Sequence, residues 1–215
     1  MLKSEIGTGV ATDASDNIYV AGSTNGNLFG QRNSGGSDAF VSRLDASWGS
    51  VQWTTLLGTQ REEKANGVAT DASGNVYVAG ATGGALNGES HAGVGSDDAF
   101  VSKLDSAGSV RWTTLLGSSG MLKSEIGTGV ATDASDNIYV AGSTNGNLFG
   151  QRNSGGSDAF VSRLDASWGS VQWTTLLGTQ REEKANGVAT DASGNVYVAG
   201  ATGGALNGES HAGVG

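Results

Sequence analysis

Residues 1–95 recur without a single difference as residues 121–215, so the chain is one 120-residue unit followed by 95 residues of the same unit. This period constrains the fold before any other property does, because a repeated segment must either fold twice alike or stack on its own copies. Natural duplications drift, and the second copy opens with Met121 directly behind Ser118-Ser119-Gly120. An internal start-like methionine behind a small polar linker points to an engineered tandem of a two-blade fragment, or to a very recent duplication.

Inside the unit lies a weaker repeat of half its length. Gly9-Val-Ala-Thr-Asp-Ala-Ser-Asp-Asn-Ile-Tyr-Val-Ala-Gly22 matches Gly67-Val-Ala-Thr-Asp-Ala-Ser-Gly-Asn-Val-Tyr-Val-Ala-Gly80. Asp38-Ala-Phe-Val-Ser-Arg-Leu-Asp45 matches Asp98-Ala-Phe-Val-Ser-Lys-Leu-Asp105, and Val51-Gln-Trp-Thr-Thr-Leu-Leu-Gly58 matches Val110-Arg-Trp-Thr-Thr-Leu-Leu-Gly117. Each half-unit reads as four short strands: A (Gly9 to Asp13), B (Asn17 to Thr24), C (Asp38 to Leu44) and D (Val51 to Leu57). Their residues are β-branched and aromatic, and the separators are Gly, Asn, Asp and Ser, which supply turn chemistry. No window keeps a 3.6-residue apolar period without glycine interrupting it, so no helix is expected. In the A–B loop, Asp13 is placed to make an Asx turn and Asn17 to take up a left-handed backbone. Strand B is apolar at consecutive positions, Ile18-Tyr-Val-Ala21, as in a sheet covered on both faces.

Repeated four-strand units of this size, buried on both faces, predict an all-β protein: a β-propeller of four-stranded antiparallel blades, about 3.5 to the chain. The three motifs together resemble the bacterial SBBP (seven-bladed β-propeller) repeat, and the first of them also resembles the NHL repeat. That resemblance implies strand A at the central channel and strand D outermost, and a parent from the bacterial envelope or a secreted setting. It carries no catalytic residues.

The expected divisions are residues 1–66 for a first blade with its N-terminal segment, 67–120 for a second blade and linker, and 121–186 for a third. Residues 187–215 then form a half blade of strands A and B only. Strand B of that half blade would be an apolar open edge at Val196, Tyr197 and Val198, and open edges pair with other chains. Two copies of the chain supply eight A–B pairs and six C–D pairs, so a homodimer favours a ring of six or eight positions over seven. A head-to-tail homodimer is expected, because ring closure hides both ends of a repeat array.

Composition narrows the partners. Twelve Lys and Arg against 21 Asp and Glu give a formal charge of −9, which disfavours nucleic acid and anionic membrane as partners. No cysteine is present for a disulfide or thiolate site. The opening residues contain no apolar signal-like run and no stretch approaches a membrane span, so a soluble chain is expected.

Antiparallel order puts the A–B and C–D loops on one face of the ring. They carry nine aspartates (Asp13, Asp16, Asp45, Asp71, Asp105, Asp133, Asp136, Asp165 and Asp191) and no loop base, which reads as turn chemistry rather than as a calcium loop. The opposite face holds the longer loops, where Arg32, Arg61, Lys64 and His91 are candidates for a polar ligand site. Trp48 and Trp168, in the C–D loops, are the candidates for an exposed stacking surface, whereas Trp53, Trp112 and Trp173 read as inter-blade packing. Neighbouring Glu62 and Glu63 point apart and make a poor acid–base pair, and His91 and His211 lack companions spaced for a metal. No catalytic triad or phosphate-cradling loop occurs. The expectation is a non-catalytic repeat scaffold without cofactor or metal that associates with itself; the alternative is a carbohydrate- or peptide-binding propeller using the long loops.

Overall fold

The computed structural model of the chain describes residues 3–94 and 96–209. Strands β1 (Glu5–Thr12), β2 (Ile18–Thr24), β3 (Asp38–Leu44) and β4 (Val51–Leu57) form the first sheet, paired in that order and antiparallel throughout. The second sheet is β5 (Glu63–Thr70), β6 (Val76–Thr82), β8 (Asp98–Leu104) and β9 (Val110–Leu116). A third follows in β11 (Glu125–Thr132), β12 (Ile138–Thr144), β13 (Asp158–Leu164) and β14 (Val171–Leu177). Strands β15 (Glu183–Thr190) and β16 (Val196–Thr202) pair only with each other. The two-residue strands β7 (Gly93–Val94) and β10 (Gly120–Met121) form a small parallel bridge beside the linker. Among the described residues there is no helix. The architecture is three four-stranded propeller blades and an inner half blade.

Strands C and D coincide with β3 and β4 as read from the sequence, but strand A does not. It begins at Glu5 and Glu63 rather than at Gly9 and Gly67, with a bulge between Gly7 and Gly9 and between Ala65 and Gly67. Glu63 and Lys64, which the sequence places ahead of strand A, therefore belong to β5. The A–B hairpin also departs in one residue. Asp13 makes the Asx turn, accepting from the backbone of Ser15 and Asn17 at 2.9 and 3.0 Å. The left-handed residue is Asp16 (φ 62°), while the Asn17 amide is used to hold the Asp13 carboxylate at 2.8 Å. A short polar side chain before the second strand tolerates that backbone, and Gly74 takes the same place in the second blade (φ 76°).

Strand alternation gives every blade two apolar faces. In the first blade Tyr19, Ala21, Ala39, Val41, Leu57 and Trp53 point forward, against Ala65, Val68, Val76, Val78, Leu86, Phe100 and Leu104 on the rear of the second. The second and third blades repeat this packing. The aromatic ring of strand C lies on a glycine of strand B: a Cβ at Gly80 would run into the Lys64 carbonyl of strand A and sit 2.7 Å from the Phe100 ring, and one at Gly142 would meet the Ile126 carbonyl and, at 2.7 Å, Phe160. Glycine is required there by close approach, not by backbone angle.

Candidate functional site: the two ends of the blade array

Each internal junction is fastened by hydrogen bonds that run from one blade into the next. Near the axis Thr8 donates to the Ala65 carbonyl at 2.6 Å, Asn66 to Gly127 at 2.8 Å, and Thr128 to Ala185 at 2.7 Å. At the rim the Trp53 indole donates to the Ser106 carbonyl at 3.0 Å and Thr55 to Gly108 at 2.6 Å. Trp112 and Thr114 make the same pair of bonds to Ala166 and Gly169, at 3.2 and 2.9 Å. Trp53 and Trp112 thus do pack between blades, each anchored on the C–D loop of its neighbour, while Trp173 has no such loop to meet among the described residues.

A buried carboxylate sews the outer strand of one blade to the inner strand of the next, a feature the sequence reading missed. Glu63 is fully buried and accepts from the Thr59 amide, the Thr59 hydroxyl and the Thr82 hydroxyl at 2.6, 2.6 and 2.9 Å. Glu183 repeats the arrangement with Thr179 and Thr202. Burial opposes its ionisation, but the bonds from Thr179, Thr202 and Gly203 outweigh burial and hold it below the ordinary glutamate range. Glu125 does the same with Ser118 of the linker, at 2.7 and 2.9 Å, and with Thr144 at 2.7 Å. The linker thereby enters the repeat geometry, and its extra residues bulge out at Met121 and Leu122, both exposed. A Glu four to seven positions after the Ser or Thr that follows the D-strand glycine is the signal that could have found this contact.

The ends of the array lack these relationships. Val10, on the rear of the first blade, is 70% exposed, while its counterparts Val68 and Val130 are 8% exposed. Ile18, Val20, Leu28 and Leu44 are half-buried where Val76, Val78, Leu86 and Leu104 are fully buried. Glu5 is exposed and touched by the Thr24 hydroxyl at 3.2 Å. At the other end Val196 and Val198 are half-buried and Tyr197 is 57% exposed; all three lie on β16, which pairs with β15 on one side and with no strand among the described residues on the other. Trp173 is exposed, unlike Trp53 and Trp112. The third blade's Arg163 turns instead to the Asn137 side chain at 2.6 Å.

The aspartate face is built as turn chemistry, with one correction. Asp13, Asp71, Asp133 and Asp191 each cap their own hairpin and accept from a strand B tyrosine, Tyr19, Tyr77, Tyr139 and Tyr197, at 2.9 to 3.0 Å. Burial and the Asp13 carboxylate push the Tyr19 hydroxyl up to about 12. For Asp13 itself burial works upward, and the bonds from Asn17, Tyr19 and Ser15 win, leaving it below the ordinary range. The face is not free of cations, however. Arg111 pairs with Asp105 at 2.8 Å, and Lys103 reaches the Ala166 carbonyl at 2.9 Å. Sorting charges by loop overlooked bases that strands C and D carry to the same rim. A cleft of about 510 Å³ there is lined by Asp71, Asp136, Lys103, Arg111, Trp112 and Trp168. Trp168 is 82% and Trp48 91% exposed, each on a loop capped by its aspartate.

On the long-loop face the candidates do not converge. Arg61 and Glu62 share a cleft of about 400 Å³ with Asp97 and Ser124. Lys64 and Glu62 line a neighbouring one of about 550 Å³ with Lys3 and Asn25. Arg32 lies in neither, and His91 faces Asp98 at 3.7 Å in the mostly buried base of its loop. His211 lies outside the described residues. Among the described residues no three His, Cys, Asp or Glu side chains are grouped for a metal, and no helix is long and apolar enough to cross a membrane.

Blades of this construction, fastened strand to strand around an axis, define a β-propeller repeat protein. The SBBP family model, described as a beta-propeller repeat, matches residues 3–30, 52–86, 111–150 and 172–206, and the chain belongs to that family. Each match after the first starts in the outer strand of one blade and ends past the two inner strands of the next. The sequence repeat therefore spans the junction rather than the blade. The chain is 33% identical over 167 residues to the regulatory protein FlaEY of Caulobacter vibrioides, a match that covers 72% of this chain and 17% of that protein. It also resembles a crystal structure of a protein of unknown function from Bacteroides caccae, with a TM-score of 0.51 at 13% identity, over 93% of this chain and 54% of the other. This last likeness is one of fold.

Proposed function

We propose that the chain is a non-catalytic repeat scaffold whose two ends associate head to tail with a second copy to close a ring. The observation that carries this reading is the contrast between Val10 and its buried counterparts Val68 and Val130: one surface is apolar, exposed, and already known inside the molecule to fit its complement. The forward face of the half blade, with Tyr197 and Ala199, is the counterpart of the face that covers Val130. The net charge of −9 favours a protein partner over a nucleic acid or an anionic membrane. The origin of the chain as an engineered or fresh tandem rests on the identity of its two copies and on Met121 behind the Ser-Ser-Gly linker.

Light scattering at micromolar concentration tests the reading: a dimer is expected, and Val10→Asp should shift it to monomer. A native chain that stays monomeric overturns it. A second reading, a carbohydrate- or peptide-binding propeller, is expected from the sequence to use the long loops, whose candidates do not converge; the observation that favours it lies on the opposite, aspartate-bearing face, in the cleft between Trp112 and the exposed Trp168. Binding on a glycan array that disappears in Trp168→Ala would establish it.

A further inference from the structure

A cleft of about 240 Å³ lies along the free edge of the half blade, lined by Ala159 and Leu177 of the third blade and by Ala185, Val198, Gly200 and Leu206. The equivalent places elsewhere in the molecule are occupied. At the first junction Ala39, Leu57, Ala65, Val78 and Leu86 enclose Phe100, which is fully buried on Gly80. At the second, Leu116, Val140 and Leu148 cluster with the equally buried Phe160. The half-blade cleft has the same wall residues, position by position, as the Phe100 site, and its strand β16 has the same sequence as β6.

We infer that this cleft and the β16 edge form an acceptor site for a strand C–D hairpin of the same repeat, able to take one up in trans, with its phenylalanine as the anchor. The internal blades specify the docked geometry. Strand β8 pairs with β6 in antiparallel register from Val76 opposite Leu104 to Thr82 opposite Asp98, which places Phe100 against Gly80. On β16 the same register runs from Val196 to Thr202 and puts the incoming phenylalanine over Gly200. One further group awaits the hairpin's own C–D loop. Trp53 and Trp112 donate to carbonyls of the C–D loop in the following blade, and Trp173, 38% exposed, holds the same strand position in the third blade. Backbone pairing supplies affinity to such an added strand, while the aromatic pocket supplies specificity. An isolated hairpin is scarcely structured in water, so part of the interaction is consumed in ordering it.

The site does not depend on ring closure, which uses the blade faces and leaves the β16 edge free. The test is a synthetic peptide with the sequence of residues 96–117, titrated into the intact chain while particle mass is followed by light scattering. The expected result is saturable binding of one peptide per chain, weakened at least tenfold by Phe100→Ala within the peptide. A chain carrying the same 22 residues fused behind Gly215 should no longer bind the free peptide. Absence of saturable binding, or equal binding of the Phe100→Ala peptide, overturns the inference. A monomeric chain that binds the peptide sinks the ring and leaves the acceptor site standing; a dimer that ignores the peptide does the reverse.

Discussion

Strands β6 and β16 share the sequence Val-Tyr-Val-Ala-Gly-Ala-Thr, yet every residue of β6 is buried and none of β16 is. Their hairpins are the same to the hydrogen bond: Tyr77 donates to Asp71 at 2.9 Å and Tyr197 to Asp191 at 3.0 Å. What differs is the C–D hairpin alongside and the blade in front. Local sequence therefore sets the hairpin, whereas burial is conferred by neighbours that lie one strand and one blade away. In a stacked array the stability of an element resides largely in its interfaces.

The strongest way to break that comparison is to truncate the two tyrosines. Tyr77→Ala removes a fully buried ring that packs beside Trp112, and should cost about 3–5 kcal/mol. Tyr197→Ala removes the same side chain from an exposed strand and should cost less than about 1 kcal/mol in monomeric chain. Chemical denaturation of both variants decides it. Similar losses would mean that the half blade is as well buried in solution as the full one, which is the outcome expected on ring closure or hairpin docking.

A smaller contrast is available in the buried glutamates. Glu63→Gln replaces an oxygen that accepts from Thr59 and Thr82 by a donor, and should destabilise by about 2 kcal/mol or more. Glu5→Gln, on the exposed counterpart, should stay within about 0.5 kcal/mol. This glutamate also marks how far the sequence was legible. Strands C and D declared themselves through alternation, and the half blade emerged by counting motifs. The start of strand A did not, because a Glu-Lys pair reads as solvent-facing unless its partners are known. Those partners, Thr59 and Thr82, lie in a D–A turn and at the end of strand B, and only the folded blade brings them together. The cations on the aspartate rim were hidden for a related reason: Lys103 and Arg111 sit in strands but reach past the ends of those strands.

Acid titration separates two sets of carboxylates. Asp38, Asp98 and Asp158 open strand C of the three full blades and lie against Gly58, Gly117 and Gly178, where an added Cβ would fall within 2.5 Å of the carboxyl group. Burial holds all three above the ordinary aspartate value of 3.8. The folded chain therefore takes up protons before the unfolded chain does, and stability should rise as pH falls from 7 towards 4.5. Glu183, Asp13 and Asp133 behave oppositely, because hydrogen bonds keep them below their ordinary values of 4.5 and 3.8. The unfolded chain then binds protons first, and stability should fall as pH drops below those values. A Tm measured across pH 3–7 should pass through a maximum on the acid side. A monotonic fall from pH 7 would show that burial does not raise the strand C aspartates above their ordinary value. The half blade has no such aspartate among the described residues, so docking of a C–D hairpin on β16 should steepen the rise.

The smallest effect separates the blades from each other at a single rim position. Arg111 in the second blade pairs with Asp105 at 2.8 Å, with the arginine exposed, whereas Gln52 and Gln172 occupy that strand position in the first and third blades. Gln52 satisfies the corresponding aspartate, Asp45, at 3.3 Å without a charge. The Asp45 carboxyl is already held at about 2 by Ser50, Trp48 and Ser47 despite its exposure, so the loop does not need a cation to keep its cap ionised. Exposed ion pairs contribute between about 0 and 1 kcal/mol. Arg111→Gln should accordingly change stability by less than about 0.5 kcal/mol, with little dependence on salt, in thermal denaturation at low and high ionic strength. A larger, salt-sensitive loss would mean that Arg111 answers to more than Asp105, namely to the summed field of the aspartate rim with Asp71 and Asp136 across the cleft. The bases of strands C and D would then be holding together a face that their neighbours' turn chemistry charges.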